Sequence, residues 1–317
     1  MINELKVSDK VFDNFILKSV MLRKTRAGKD YLDIILKDKS GEIPAKLWNV
    51  SPEIKDEFEA GCTVKVSGEV DSFGSNPQVK IDSMEKVILN DDEMAKLVES
   101  APMGSDEMFN FVTETISAME NSDIKTITEV LVDKYKDKFK VYPAAKSFHH
   151  AMKGGLMYHT YTMLKNAKKL TDTYTFLNKD LVFAGVILHD ICKTEEMECN
   201  DIGVVESYTT DGQLLGHIIQ CICEIDNVSR RLEIKSEVPL LLKHMVLSHH
   251  YHPEFGSPKY PMIPEAELLH YLDIVDSRMN QMETAFKGTK ENEFSSRVRM
   301  LDNRNIYHYT LENKEEE

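Results

Sequence analysis

Between His159 and Asp273 the chain places metal-binding side chains in five separate stretches of helical pattern, and this constrains its fold more than any other feature. Gly154-Gly155-Leu156-Met157-Tyr158-His159-Thr160 opens the first stretch, and Leu188-His189-Asp190 closes the second, directly after the apolar run Leu181 to Leu188. Gly216-His217 lies in a third, Ser248-His249-His250 ends a fourth, and Leu272-Asp273 lies inside a fifth. Beyond the two adjacent pairs none of these spacings is local, so a helical fold must form before a metal is held well. Neutral imidazole and carboxylate suit Zn, Mn, Fe or Co, and a carboxylate can bridge two ions. Seven such groups exceed what one tetrahedral ion needs, which points to two metals and so to phosphoester chemistry. The His-Asp dipeptide alone carries little, since chance supplies about one in a chain of this composition; the ensemble carries the signal.

With 317 residues the chain is long enough for two domains with real cores. No apolar run approaches the roughly 20 residues of a membrane span. The start, Met1-Ile2-Asn3-Glu4-Leu5-Lys6, lacks the apolar core of a signal peptide. The five cysteines (Cys62, Cys192, Cys199, Cys221, Cys223) form no C-x-x-C pair and no zinc-finger spacing, so they read as reduced thiols of a cytoplasmic protein. A net charge of −14 argues against tight, sequence-independent duplex binding, because phosphate contacts need basic groups. The charge is unevenly spread: residues 1–90 carry 14 basic and 15 acidic side chains, whereas residues 91–140 carry 6 and 12. Salt-sensitive binding of a single strand by the near-neutral N-terminal region is compatible with this distribution.

The first 88 residues read as β-structure and the rest as helix. Val11–Leu22, Tyr31–Lys37, Glu42–Trp48, Thr63–Val70 and Gln78–Val87 alternate or are rich in β-branched residues, with turn signals such as Gly74-Ser75-Asn76-Pro77 between them. Five strands in this length fit a small closed barrel, of which the OB-fold is the commonest kind. The expected organisation is an OB-fold barrel over 1–89, a linker and helical segment over 90–140, an all-α metal-binding domain over 141–290 and a tail over 291–317. In the helical segment Met108, Phe109, Val112, Ile116 and Met119 recur at helical spacing, as core packing requires. The same helices, at 106–139, are a candidate interface for a homo-oligomer.

The order and wording of the histidine and aspartate stretches resemble the HD superfamily of metal-dependent phosphohydrolases. Within it the chain resembles the YhaM family of 3′→5′ exoribonucleases over nearly its whole length. The matching phrases are Lys29-Asp30-Tyr31-Leu32-Asp33-Ile34, Gly41-Glu42-Ile43-Pro44-Ala45-Lys46-Leu47-Trp48, Phe148-His149-His150-Ala151, Leu188-His189-Asp190, Ser248-His249-His250, Glu254-Phe255-Gly256-Ser257-Pro258 and Leu272-Asp273-Ile274-Val275-Asp276-Ser277. Two departures stand out: Cys192 replaces a glycine usual before Lys193, and Tyr251-His252-Pro253 replaces a shorter polar run.

The resemblance implies an OB-fold barrel followed by an HD-type metallophosphohydrolase domain. It implies stepwise hydrolysis of single-stranded RNA, and of single-stranded DNA as a further substrate, to nucleoside 5′-monophosphates. One divalent ion would be held by His159, His189, Asp190 and Asp273, and the other by Asp190, His217, His249 and His250, with Asp190 bridging. Manganese is the first expectation, ahead of Co, Fe, Zn and Mg. Lys193 would hold a phosphate oxygen, or be an ordinary last-turn lysine. Both His249 and His250 bind metal in this scheme; one of them contacting phosphate is the other reading. Asp276, on the face of Asp273, would orient a ligand from behind. In the barrel Trp48 and Phe73 are either base-stacking platforms or barrel plugs, and Lys46 lines a backbone groove or a solvated face. Two other classes share much of this pattern: an HD enzyme acting on free nucleotides or cyclic dinucleotides, and a non-catalytic single-strand-binding protein with a structural metal. The barrel argues against the first, and seven ligands argue against the second.

Overall fold

The alternating N-terminal segments form five strands: β1 Lys10–Lys24, β2 Asp30–Asp38, β3 Gly41–Trp48, β4 Thr63–Phe73 and β5 Asn76–Lys86. The computed structural model describes residues 1–311 apart from 26, 52–53, 55–56, 74–75, 95, 146–149, 151, 201–202 and 204, and only the backbone of 73, 76, 91, 92 and 206. The strands close into a barrel in the order β1-β2-β3-β5-β4, with β4 returning to β1; β3 and β5 run parallel and the other neighbours antiparallel. This is the OB-type barrel expected from the alternation. Register decides which residues fill it. Leu32 faces Leu47, Ile34 faces Ala45 and Leu36 faces Ile43, and the β2 members of these pairs are fully enclosed. The intervening pairs, Tyr31 with Trp48 and Asp33 with Lys46, therefore fall on the outer face. The buried Asp38 carboxylate closes the β2–β3 turn by accepting from Ser40 N at 2.7 Å and Gly41 N at 3.1 Å, and ties down the N-terminus by accepting from Ile2 N at 2.8 Å.

A short helix, α1 Asp91–Met94, follows the barrel within the first compact unit, Met1–Ser100. The second unit, Ala101–Glu317, is built on α2 Ser105–Ser117, α3 Ser122–Val141, α4 Gly155–Thr173, α5 Lys179–Leu188, α6 Lys193–Glu196, α7 Thr210–Arg231, α8 Val238–Ser248 and α9 Pro264–Lys287. Helices α2 and α3 share one core with the others: Met108, Val112, Ile127 and Leu131 are fully buried in it. Helix α5 is apolar on every side, and such a helix is stable only at the centre of a bundle. It packs against α3, α4, α8 and α9. Its Gly185 allows close approach to α8, since a methyl there would lie 2.2 Å from Met245 Cε. Asn178 caps its start by accepting from Leu181 N at 3.0 Å. The two residues that follow its last turn, His189 and Asp190, are thereby delivered to the interior.

Two small sheets decorate the helices: a hairpin of β6 Met197–Cys199 with β7 Val205–Tyr208, and β8 Glu293–Phe294 with β9 Tyr307–His308. The segment after α9 folds back on that helix through Arg278–Asp302 (2.7 Å), the buried Leu301 and the His308 ring against Phe286. No helix among the described residues is long and apolar enough to cross a membrane.

The barrel rests on one close approach. At the bulge between Ser67 and Gly68 a side-chain carbon on Gly68 would lie 2.3 Å from the Lys80 carbonyl, a contact with backbone that cannot swing aside. Gly68→Ala should destabilise the barrel by about 1–3 kcal/mol. Urea unfolding followed through the fluorescence of Trp48, the chain's only tryptophan, reads the barrel alone; an unchanged midpoint would contradict the close-approach argument.

Candidate metal centre and barrel face

Five helices bring His159, His189, Asp190, His217, His249, His250 and Asp273 to one place. His159 projects from the second turn of α4, and His189 and Asp190 follow α5. His249 and His250 follow α8, and Asp273 lies midway along α9. His217 depends on a break: Gly216 has φ 69 and ψ 163 inside α7, so the helix restarts at His217 and turns it toward Asp190.

Each ring is held from behind by an acceptor on Nδ1. His189 Nδ1 donates to Val186 O (2.8 Å), His249 Nδ1 to Val246 O (2.7 Å) and His250 Nδ1 to Phe255 O (2.6 Å). His217 Nδ1 donates to Glu196 Oε2 (2.7 Å), and His159 Nδ1 to Asp276 Oδ2 (2.7 Å). Carbonyls and carboxylates only accept, so the proton of each ring is fixed on Nδ1 and Nε2 faces the centre. There the Nε2 atoms stand close to carboxylate oxygens. Asp190 Oδ2 stands 3.3 Å from His189 Nε2 and 3.9 Å from His159 Nε2, while its Oδ1 stands 3.2 Å from His217 Nε2 and 3.8 Å from His249 Nε2. Asp273 Oδ1 lies 3.3 Å from His159 Nε2. Among the described residues, the buried His189, His217 and His249 Nε2 atoms and Asp190 Oδ1 have no well-aligned hydrogen-bond partner. Nitrogen lone pairs and carboxylate oxygens converging in a buried space fit a divalent cation. The potential ligand atoms of Asp190, His217, His249 and His250 lie within 4.8 Å of one another, as do those of His159, His189 and Asp190. Asp190 belongs to both groups.

His159, His189 and His249 are fully buried, whereas His250, Asp273 and Lys193 are half-buried at the rim. Lys193 Nζ donates to Asp190 Oδ2 at 2.7 Å. One supporting group escapes a reading of the sequence, and another is legible there only as part of a motif. Glu196 sits behind His217 in a polar run with no distinguishing pattern. His150 Nε2 lies 2.8 Å from the same Asp276 oxygen that holds His159, and its own backbone N donates to Asn280 Oδ1 at 3.0 Å. Its neighbours Phe148, His149 and Ala151 lie outside the described residues. His252 is exposed, His270 Nδ1 donates to His249 O (2.7 Å), His244 Nε2 accepts from Met262 N (2.9 Å) and His308 belongs to the C-terminal sheet. Cys192 and Cys221 are fully buried beneath the cluster, Cys221 Sγ donating to Leu188 O at 3.2 Å.

Burial opposes charge throughout the metal-free cluster, and neighbours decide where it is overcome. Burial lowers His159, but Asp273 and Asp276 push it up to about 10; burial lowers His217, but Asp190 and Glu196 push it up to about 8. Their second proton sits on Nε2, facing a carboxylate, where a cation would otherwise lie. Burial and neighbouring histidines depress His249 and His250. Burial would raise Asp190, yet Lys193 and His189 hold it well below the usual carboxylate range; His159 does the same for Asp273.

On the barrel, Trp48 is 38% exposed and stacks on Tyr31, with ring centroids 4.7 Å apart at 28°. Lys46 Nζ lies 5.4 Å from the Tyr31 ring and 5.5 Å from Trp48. Tyr31 is a partner that strand register alone reveals. Phe73 ends β4, and its side chain lies outside the described residues.

The chain matches an OB-fold nucleic acid binding domain over residues 16–87, an HD domain over 156–278 and a putative helicase model over 101–181. It is similar to the 3′-5′ exoribonuclease YhaM of Geobacillus sp. (strain WCH70), with 42% identity over 303 residues, 95% of this chain and 93% of that relative. Among solved structures, the second OB-fold domain of replication protein A from Methanococcus maripaludis is 24% identical with a TM-score of 0.23, over 28% of this chain and 95% of that one. The protein priB from Ralstonia solanacearum is 14% identical with a TM-score of 0.22, over 26% of this chain and all of that one.

The raised values of His159 and His217 fix a sign. Their protons stabilise the metal-free fold fully below about 6.5, and that contribution is lost as pH rises through about 8 for His217 and about 10 for His159. A bound cation must expel the same protons, so metal affinity should rise over the same windows. At pH 7, calorimetry in two buffers of different ionisation enthalpy should find about two protons released on saturation with Mn²⁺. Release of none would contradict the assignment of these nitrogens.

Proposed function

The chain belongs to the YhaM family of 3′-5′ exoribonucleases, and from that premise we propose that it removes nucleoside 5′-monophosphates one at a time from the 3′ end of single-stranded RNA, and of single-stranded DNA as a second substrate. The observation that carries the reading is the sorting of ligands by the two oxygens of Asp190. His159 and His189 gather with Oδ2, with Asp273 beside His159, and His217 and His249 gather with Oδ1, with His250 grouped beside them. This supports two divalent ions, to both of which Asp190 would contribute, with Mn²⁺ the first expectation ahead of Co, Fe, Zn and Mg. Bound there, they would supply an activated water near neutral pH and neutralise charge on the phosphate.

The chain's own residues do the rest. The Nδ1 acceptors hold five imidazoles in one orientation, so the rings need not turn when the site fills, although His159 and His217 must give up their second protons. Lys193, at the rim, is proposed to hold a phosphate oxygen as a point charge. Asp276 and His150 keep His159 in place. The barrel binds single-stranded nucleic acid; Trp48 with Tyr31 offers a flat aromatic surface to a base, and Lys46 beside them offers charge to the backbone.

A labelled RNA oligomer with a free 3′ end should give a ladder of one-nucleotide steps in Mn²⁺, while a 3′-blocked oligomer, or added chelator, should give none. Asp190→Asn should lower the rate by more than about a hundredfold, since loss of a supporting residue behind a ligand already costs 10–100-fold. Cleavage inside the blocked strand, or a variant as fast as the parent, would overturn the reading.

A further inference from the structure

The loop after the paired histidines displays an exposed phenyl ring beside the exposed His252. Phe255 is 66% exposed, yet its backbone carbonyl is the acceptor that fixes His250 Nδ1 at 2.6 Å. The loop is tied at many points. Ser257, itself fully buried, accepts from His250 N at 3.0 Å, and His252 O accepts from Phe255 N at 3.0 Å and from Ser257 N at 3.2 Å. Tyr251 holds a left-handed φ of 68, and Gly256 a φ of 95. A side-chain carbon on Gly256 would sit 3.4 Å from Ile218 Cδ1, so the loop rests on α7 beside His217. The edge of the His252 ring meets Phe255 at 6.1 Å and 77°.

A single exposed phenyl needs no explanation on most surfaces. Here the backbone that displays it is strained at Tyr251 and is the same backbone that orients a candidate metal ligand. The residue that carries the ring is thus hydrogen-bonded through its backbone directly to a candidate ligand of the cluster, and its exposed ring is free to meet a base. We infer that Phe255 is the stacking platform for the base of the 3′-terminal nucleotide, setting that nucleotide's position as its phosphate meets the cluster. The inference rests on the nuclease reading above and adds a base subsite to it. An aromatic face stacks on every base, so the subsite is tolerant of sequence, as stepwise degradation requires.

The test is calorimetric binding of two probes to the full-length, Mn²⁺-loaded protein: adenosine 5′-monophosphate and ribose 5-phosphate, which lacks the base. The parent should bind the first more tightly by at least about fivefold, the low end of base–aromatic stacking. Phe255→Ala should close that gap with ribose 5-phosphate binding and manganese content unchanged, and Phe255→Trp should keep it. Because the ring lies mostly in water, the alanine variant should fold as the parent does, and the gap in the parent needs no variant at all. No gap in the parent, or the same gap in Phe255→Ala, would overturn the inference. So would a variant that changes only the sedimentation of the protein, which would make the ring a contact between copies. A parent that gives no ladder on unblocked RNA would overturn the nuclease reading, and this inference with it; a ladder with an unaltered gap overturns this inference alone.

Discussion

Five imidazoles are each pinned by an acceptor on Nδ1, and the rest of the helical unit follows from what that pinning requires. A ring held this way presents Nε2 in a fixed direction, and the five Nε2 atoms meet only if the four helices that carry them, α4, α5, α7 and α8, converge. Two of the acceptors, Val186 O and Val246 O, are last-turn carbonyls of the very helices that deliver His189 and His249. The orphan carbonyls of a helix end thus become the fixtures of the site. His217 has no such carbonyl, and Glu196 takes that role from α6 across the break at Gly216. The cost is a buried concentration of carboxylates and lone pairs, borne in the metal-free state by the second protons of His159 and His217 and by Lys193 against Asp190.

The barrel answers a different physical demand. A cluster holding several carboxylates in an acidic chain does not attract a polyanion by its side chains alone, and counterion release needs cationic groups elsewhere. The N-terminal region is close to neutral, with 14 basic and 15 acidic residues over 1–90, and displays a Trp48–Tyr31 stack beside Lys46. Stacking does not depend on net charge, so such a face can bind a single strand where a purely electrostatic one could not. Near-neutral charge and aromatic exposure make the barrel the part of this chain suited to single-strand contact.

Much of this could be read from the sequence, for definite reasons. The strands announced themselves because one face of each is enclosed and polar residues alternate with apolar ones; the apolar run Leu181–Leu188 could only be central. The metal-binding residue types are few enough that their clustering in five helical stretches stood out. What could not be read depends on long-range geometry. Glu196 is one acid in a polar run until the fold sets it 2.7 Å from His217. Gly216 lies inside a stretch of helical pattern, yet its φ of 69 breaks the helix. Tyr31 becomes the partner of Trp48 only when the β2–β3 register is known. Residues 293–311 carry no periodicity, yet Leu301 is fully buried against the helices, an attachment held by tertiary contacts alone.

The central claim is that Asp190 divides two cation positions. Anomalous scattering at the manganese edge, from crystals of the full chain grown with Mn²⁺, tests it most directly. Two peaks about 3.5–4 Å apart are expected, one on each side of the Asp190 carboxylate, the separation typical of two-metal phosphodiesterases. One peak bound by Asp190 alone among the carboxylates, or peaks away from His159, His189, His217, His249 and His250, would contradict it.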